Sequence, residues 1–164
     1  MNFCRKVYMP NYKQQLSAFY KKSLTRYEVF NLGLPSSQLQ KYGMSNLNII
    51  MTQGTMTKST RKSKKNKTGH NISRQTMKNL KDYITNPEII IKNPDKDAFI
   101  LVIPKKDENG NPIVIAVHNN QKHNSVNVNE IKSIYGRTDF DTYCKREAEK
   151  GNILFINNKQ QKSR

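Results

Sequence analysis

Three histidines, His70, His118 and His123, are the natural proton carriers near neutral pH in this sequence, and any acid-base chemistry starts from them. His70 stands in Gly69-His70-Asn71, directly after a run of cations and before a helix start. There its ring can approach an anion that the cations and the free N–H groups of a helix end already favour; a plain loop or capping histidine is the other reading of the position. His118 closes the apolar run Ile113 to Val117, where a strand end either presents a functional side chain or carries a histidine for solubility. His123, in the polar stretch Asn119 to Asn124, reads as a surface residue. A second cluster, Ser133-Ile134-Tyr135-Gly136-Arg137, puts a hydroxyl, a phenol, a flexible glycine and a guanidinium within five residues. Arg137 can clamp two phosphate oxygens, Ser133 can donate a third bond, and Tyr135 can stack on a base or assist proton transfer. The competing reading makes Tyr135 a core residue and Arg137 an ordinary surface cation.

Those residue types suit one reaction in particular. RNA is cut without metal when its own 2′-hydroxyl attacks the adjacent phosphorus, which needs a base, an acid and a cation beside the developing charge. Deoxyribose lacks that hydroxyl. The charge pattern agrees with a polyanionic partner. The formal net charge is +17, and residues 1–81 hold 16 basic side chains with Glu28 as the one acid, whereas residues 82–164 hold 13 basic and 11 acidic ones. An AT-rich coding bias would explain abundant Lys, Asn and Ile, but not missing acids. A concentrated positive field favours nucleic acid, an anionic membrane surface or an acidic protein. Its densest part is Lys58, Arg61, Lys62, Lys64, Lys65 and Lys67, with no acid among them. Self-repulsion is expected to keep residues 52–67 loose, as a solvated loop, a frayed helix or a phosphate-contacting arm ordered by its ligand. Lys58 is a candidate for the catalytic site, and Arg61, Lys62, Lys64, Lys65 and Lys67 for RNA contacts.

Several function classes find no support. Cys4 and Cys144 are far apart, with no CxxC pair, so neither a zinc site nor a disulfide framework is indicated. The acids scatter, which disfavours a magnesium-dependent nuclease, and there is no Walker-type glycine loop or HExxH motif. No metal and no cofactor are expected. The N-terminus has no apolar stretch of signal-peptide length, and no window approaches the roughly 20 apolar residues of a membrane span. A cytoplasmic location in a bacterial host cell is expected, with no membrane as partner.

The elements that must position these residues read as helices first, then an antiparallel sheet. Mean hydropathy is −0.84, yet dense runs such as Phe99 to Ile103 can seed a core. Apolar spacing near 3.6 over residues 11–30 predicts one amphipathic helix. Pro35 to Tyr42 predicts a short helix stopped at Gly43, and Leu47 to Met51 a strand. Ser73 can cap a helix to about Ile84, closed by Asn86-Pro87. Ile89 begins the β part; Phe99 to Ile103 and Ile113 to Val117 form a hairpin around Asn109-Gly110. Asp139 to Lys150 places acids first and bases last, as a helix macrodipole prefers, before Gly151 and a final strand, Ile153 to Ile156. The expected fold class is α+β, N-terminal helices packed on a mostly antiparallel sheet of four to five strands. The expected organisation is one domain over 1–164: a helical extension at 1–31, a core at 32–158 and a basic tail at 159–164.

Gly69-His70-Asn71-Ile72-Ser73, Asn86-Pro87, Asn109-Gly110-Asn111-Pro112-Ile113, Ser133-Ile134-Tyr135-Gly136-Arg137 and Gly151-Asn152-Ile153-Leu154-Phe155-Ile156-Asn157, in that order, resemble the phage MuF C-terminal domain. The resemblance covers roughly residues 32–158, and Ser-x-Tyr-Gly-Arg/Lys is its most specific element. It implies a barnase/EndoU/colicin/RelE-like (BECR-like) nuclease fold, and RNA cleavage by a polymorphic or phage-carried toxin whose substrates include tRNA. His70, Ser133, Tyr135 and Arg137 match its motifs, while Lys58 and His118 rest on position and chemistry. The leading expectation is a metal-independent endoribonuclease held in check by an acidic immunity or antitoxin protein. The alternatives are a non-enzymatic nucleic-acid-binding phage protein and a phage-encoded inhibitor of a host protein. Which histidine serves as base and which as acid stays open.

Overall fold

In a computed structural model, residues 11–158 are described. The N-terminal ten residues, which carry Cys4, and the basic tail at 159–164 lie outside them. The order is α1 (Tyr12–Tyr20), β1 (Phe30–Asn31), α2 (Ser37–Lys41), β2 (Ile49–Met51), α3 (Gln53–Thr60), α4 (Arg74–Lys78), α5 (Leu80–Thr85), β3 (Ile89–Asn93), β4 (Ala98–Lys106), β5 (Pro112–His123), β6 (Val126–Gly136), α6 (Phe140–Glu149) and β7 (Ile153–Ile156). The fold is α+β. Its sheet is larger than the four to five strands expected: seven strands in the order β1-β2-β6-β5-β4-β3-β7, antiparallel except for the β2–β6 pair.

Successive strand residues point to opposite faces, so the strands β3 to β7 feed two cores, while β1 and β2 feed the first alone. Phe99, Leu101, Ile113, Ile115 and Ile134 turn to one face and are fully buried under Met56, Met77 and Leu80 from the N-terminal helices. Each side chain so buried contributes about 1.5–3 kcal/mol. On the opposite face Ile91, Val102 and Val114 form a smaller cluster under Tyr143 of α6. Because α6 covers only part of that face, a stretch of sheet beside it is left open.

The hairpin of β4 and β5, the stop of α2 at Gly43 (φ +103), α6 and β7 all form where the sequence places them. Four elements differ. The single helix expected over residues 11–30 ends at Tyr20. Gln15 donates to the Val29 carbonyl (2.7 Å) and accepts from Asn31 N–H (2.9 Å), and Gln53 donates to the carbonyls of Thr25 and Glu28. Those side chains take the place of helical bonds, and Phe30–Asn31 pairs with β2. The 1–31 extension is therefore not helical throughout.

Residues 52–67 are not loose. Thr52 caps α3, whose only cation is Lys58, and Met56 and Ser59 are buried, so little repulsion acts within the helix. The remaining cations sit on the loop that follows, closed by Arg61 donating twice to the Thr68 carbonyl (2.9 and 2.7 Å). The Ser73-capped helix is broken at Asn79 into α4 and α5. Finally, β6 is an unanticipated strand of 11 residues joined to β5 through Asn124 (φ 48) and Ser125 (φ 67).

Candidate active site

Pairing across the sheet aligns Ser133, Ala116, Ile100, Ile91 and Ile153 in one row over β6, β5, β4, β3 and β7. Tyr135 lies opposite Val114 on one side of that row, and His118 opposite Ala98 on the other. At Ala116–Val117 the register slips, two β5 residues facing three on β6, and the bulge lets the adjacent Lys132 and Ser133 both line cavities. The larger cavity, about 790 Å³, is bounded by His118, Lys132, Ser133, Tyr135 and Arg137 on the sheet and by Tyr143 and Arg146 on α6. Its floor is low because Ala98 and Ala116 are small. A smaller cavity of about 160 Å³ is bounded by Lys58, Ser59, His70, Lys132 and Ser133. Ser133 and Lys132 belong to both, so His70 and His118 flank the same pair of β6 residues.

His70 is held by its backbone. His70 N–H donates to the Lys58 carbonyl (3.0 Å), Asn71 N–H to that of Arg61 (2.9 Å) and Ile72 N–H to that of Ser59 (2.8 Å), lacing the segment to the end of α3. Asn71, at φ 46, donates its side-chain amide to Glu108 (2.5 Å) on the β4–β5 turn. The His70 ring lies 5.7 Å from the Tyr135 ring, tilted by 42°. Gly69 is required by close approach: a Cβ there would overlap the Arg61 carbonyl, 2.8 Å from its carbon. Gly69→Ala is therefore expected to push the 61–69 loop away and carry His70 with it. It should destabilise the fold by about 1–3 kcal/mol, read as a lower denaturation midpoint, with loss of whatever activity His70 supports.

Burial lowers the proton affinity of His70 below its ordinary 6.5, and the neighbouring charges of Lys58 and Arg61 lower it further. Burial likewise lowers His118, aided by Lys132 and Lys96 against a smaller opposing effect of Glu130. Both rings are therefore neutral at pH 7 and able to accept a proton. Neither ring, nor the Ser133 hydroxyl, nor the Lys58 ammonium has a hydrogen-bond or ion-pair partner among the described residues.

Arg137, by contrast, is thoroughly anchored. Its guanidinium lies 3.8 Å over the Tyr143 ring, Nη1 donates to the Tyr135 hydroxyl (3.0 Å), and Asp139 pairs with it at 2.9 Å. The Asp139 oxygen sits off the Nε–H direction, which leaves the buried Nε without a hydrogen bond. Burial opposes its charge, but Tyr135 and Asp139 together raise its proton affinity, so it stays a fixed cation. Gly136 is not simply flexible: a Cβ there would overlap the Asp107 carboxylate, which accepts from Asn109 and Asn111 N–H and pins the β4–β5 turn.

All six candidate catalytic residues thus gather around one stretch of open sheet. The candidate RNA contacts do not: Lys62, Lys64, Lys65 and Lys67 are exposed on the 61–69 loop, line neither cavity, and Arg61 is occupied in closing the loop. His123 sits near the tip of the β5–β6 hairpin, away from both. Sequence reasoning missed Lys132, Tyr143, Arg146 and Glu147 as cavity residues. Only a correct assignment of β6 would have flagged Lys132, as the residue beside Ser133. Among the described residues there is no group of three or more His, Cys, Asp or Glu that could hold a metal, and no helix is long and apolar enough to cross a membrane.

Comparison with known proteins returns one family. The Phage MuF-C-terminal domain matches residues 61–163, a span that holds His70, His118, Ser133, Tyr135 and Arg137 and begins just after Lys58. No curated protein and no solved structure matches significantly. On that match, which covers well over half of its length, the chain belongs to the phage MuF C-terminal domain family.

Proposed function

We propose that this protein is a metal-independent endoribonuclease that cleaves RNA, tRNA among the candidate substrates, by 2′-hydroxyl attack. The observation that carries the reading is the placement of two unpartnered, neutral histidines on either side of Lys132 and Ser133, with an anchored guanidinium in the cavity that His118 lines. One ring takes the 2′-hydroxyl proton. The other, once protonated beside the bound phosphate, gives a proton to the leaving 5′-oxygen. Lys58, Lys132 and Arg137 stabilise the extra negative charge of the phosphorane-like state, and Ser133 donates a hydrogen bond to it. The exposed lysines of the 61–69 loop hold flanking phosphates through salt-sensitive attraction. A barnase- and RelE-like toxin, restrained by an acidic immunity or antitoxin protein seated on the basic half, fits this arrangement.

The test is an EDTA-treated incubation with total bacterial RNA, reading fragments and their ends. Fragments ending in 2′,3′-cyclic phosphate are expected. Intact RNA from folded protein would reject the reading in favour of a binding or inhibitory role.

The pH dependence follows from the sign of the histidine shifts. The base works in its neutral form, and both rings give up their protons below the ordinary 6.5. The acid limb of kcat/KM is thus expected below pH 6.5. A limb above pH 7 would contradict the role of either ring as base. By linkage the same shifts favour folding above pH 6.5, an advantage lost as pH falls through the folded values.

A further inference from the structure

The larger cavity contains a group that a phosphodiester does not need. Among its cations stands Glu147 of α6, 9% exposed, and a carboxylate repels phosphate. Oε2 accepts from the Asn152 side chain (2.7 Å). Oε1 has only two long ion-pair contacts, Arg146 Nε at 3.6 Å and Lys150 Nζ at 3.9 Å, both beyond hydrogen-bonding distance. One oxygen of a nearly buried carboxylate therefore keeps unused acceptor capacity in a cavity wall.

The floor of that cavity suggests what lies beside it. Ala98, Ile100 and Ala116 make a low apolar surface on which a planar ring can rest. From the Ser133 strand to β3 is three strand spacings, about 14 Å. A nucleotide whose phosphate sits at Lys132 and Ser133 can lay its base across β5 and β4 towards α6, where the half-exposed Arg146 guanidinium offers a stacking plane.

We propose that Glu147 reads the base of the bound nucleotide by accepting hydrogen bonds from an N–H edge, so that the site takes guanine in preference to uracil. The inference rests on the ribonuclease reading. Guanine presents adjacent N1–H and N2–H donors that match a carboxylate edge, one going to the open Oε1 and the other to the second lone pair of Oε2, whose first accepts from Asn152. Uracil flanks its single N–H with two carbonyl oxygens, which the carboxylate repels. Adenine and cytosine set a ring acceptor beside their amino group and fall between. Asn152 fixes the carboxylate plane, and Arg146 and Lys150 flank it at ion-pair distance without occupying Oε1.

The test is calorimetric binding of guanosine 3′-monophosphate and uridine 3′-monophosphate to the wild-type protein and to Glu147→Gln. Glutamine keeps the shape and the acceptor for Asn152, but puts a donor where a second acceptor is required. The guanosine nucleotide is expected to bind about 10-fold or more tightly to the wild type, with the difference shrinking to less than about threefold in the variant. Equal affinities in the wild type, or a preference that survives in Glu147→Gln, would overturn the assignment. Selective binding by a protein that leaves RNA intact would defeat the ribonuclease reading alone. Cleavage without base preference would defeat the base-reading role alone.

Discussion

Replacing His70 by alanine is expected to lower metal-free RNA cleavage by about 10²- to 10⁴-fold, the usual contribution of a positioned acid or base, while RNA binding stays within a few-fold of wild type. The separation is possible because His70 adds no charge at pH 7, burial and the nearby Lys58 and Arg61 keeping its ring neutral. The lysines of the 61–69 loop, which supply the salt-sensitive attraction, remain in place. The fold should tolerate the change, because the segment is fastened by backbone bonds to Lys58, Arg61 and Ser59 and not by the imidazole. Gel-resolved cleavage rates beside filter-binding affinities measure both quantities. Cleavage that persists at more than about a third of the wild-type rate would remove His70 from the chemistry and leave His118 as the sole candidate base.

Arg137→Lys is expected to cost about 10²-fold or more in kcat, by comparison with the loss of a single group stabilising transition-state charge, although it conserves the charge. The guanidinium is planar, and the geometry uses that plane: it stacks on Tyr143 while Nη1 binds the Tyr135 hydroxyl and Asp139 holds the other side. An ammonium group can neither stack in this way nor present parallel donors to two phosphate oxygens. Arg137 also stands where the cavity beside α6 meets a second one of about 780 Å³ along the β4–β5 turn, so its head group can face a substrate crossing between them. Steady-state kinetics and a circular dichroism melt check the expectation together. A variant that melts like the wild type and loses less than about threefold in kcat would mark Arg137 as a pin for α6 and nothing more.

The parts of this molecule that were legible in the sequence are those whose cause is local. The β4–β5 hairpin follows from two β-branched runs around Asn109-Gly110, and α6 from acids at its start, bases at its end and Gly151 beyond. The chemistry-bearing residues could also be named, because three histidines and one Ser-x-Tyr-Gly-Arg cluster are all the chain offers of their kind. The strand β6 was not legible. Its pattern is broken by Asn129 and Glu130, polar residues that are nevertheless buried. Asn129 is satisfied by the carbonyls of Ser45 and Leu47 and by Asn120 N–H, and Glu130 is paired with Lys132. No periodicity rule anticipates a buried amide whose partners lie more than 80 residues away.

The same distinction governs the site. Sequence alone determined that a strongly basic first half and a few proton carriers exist, since charge and residue type do not depend on folding. Only the tertiary structure decided that His70 and His118 flank Ser133, that Gly136 must lack a side chain because Asp107 lies against it, and that Glu147 faces the same cavity. Each of these depends on strand register, and register is set by burying one face of seven strands at once. That condition involves residues from Phe30 to Ile156 together, so no stretch of sequence read by itself contains it.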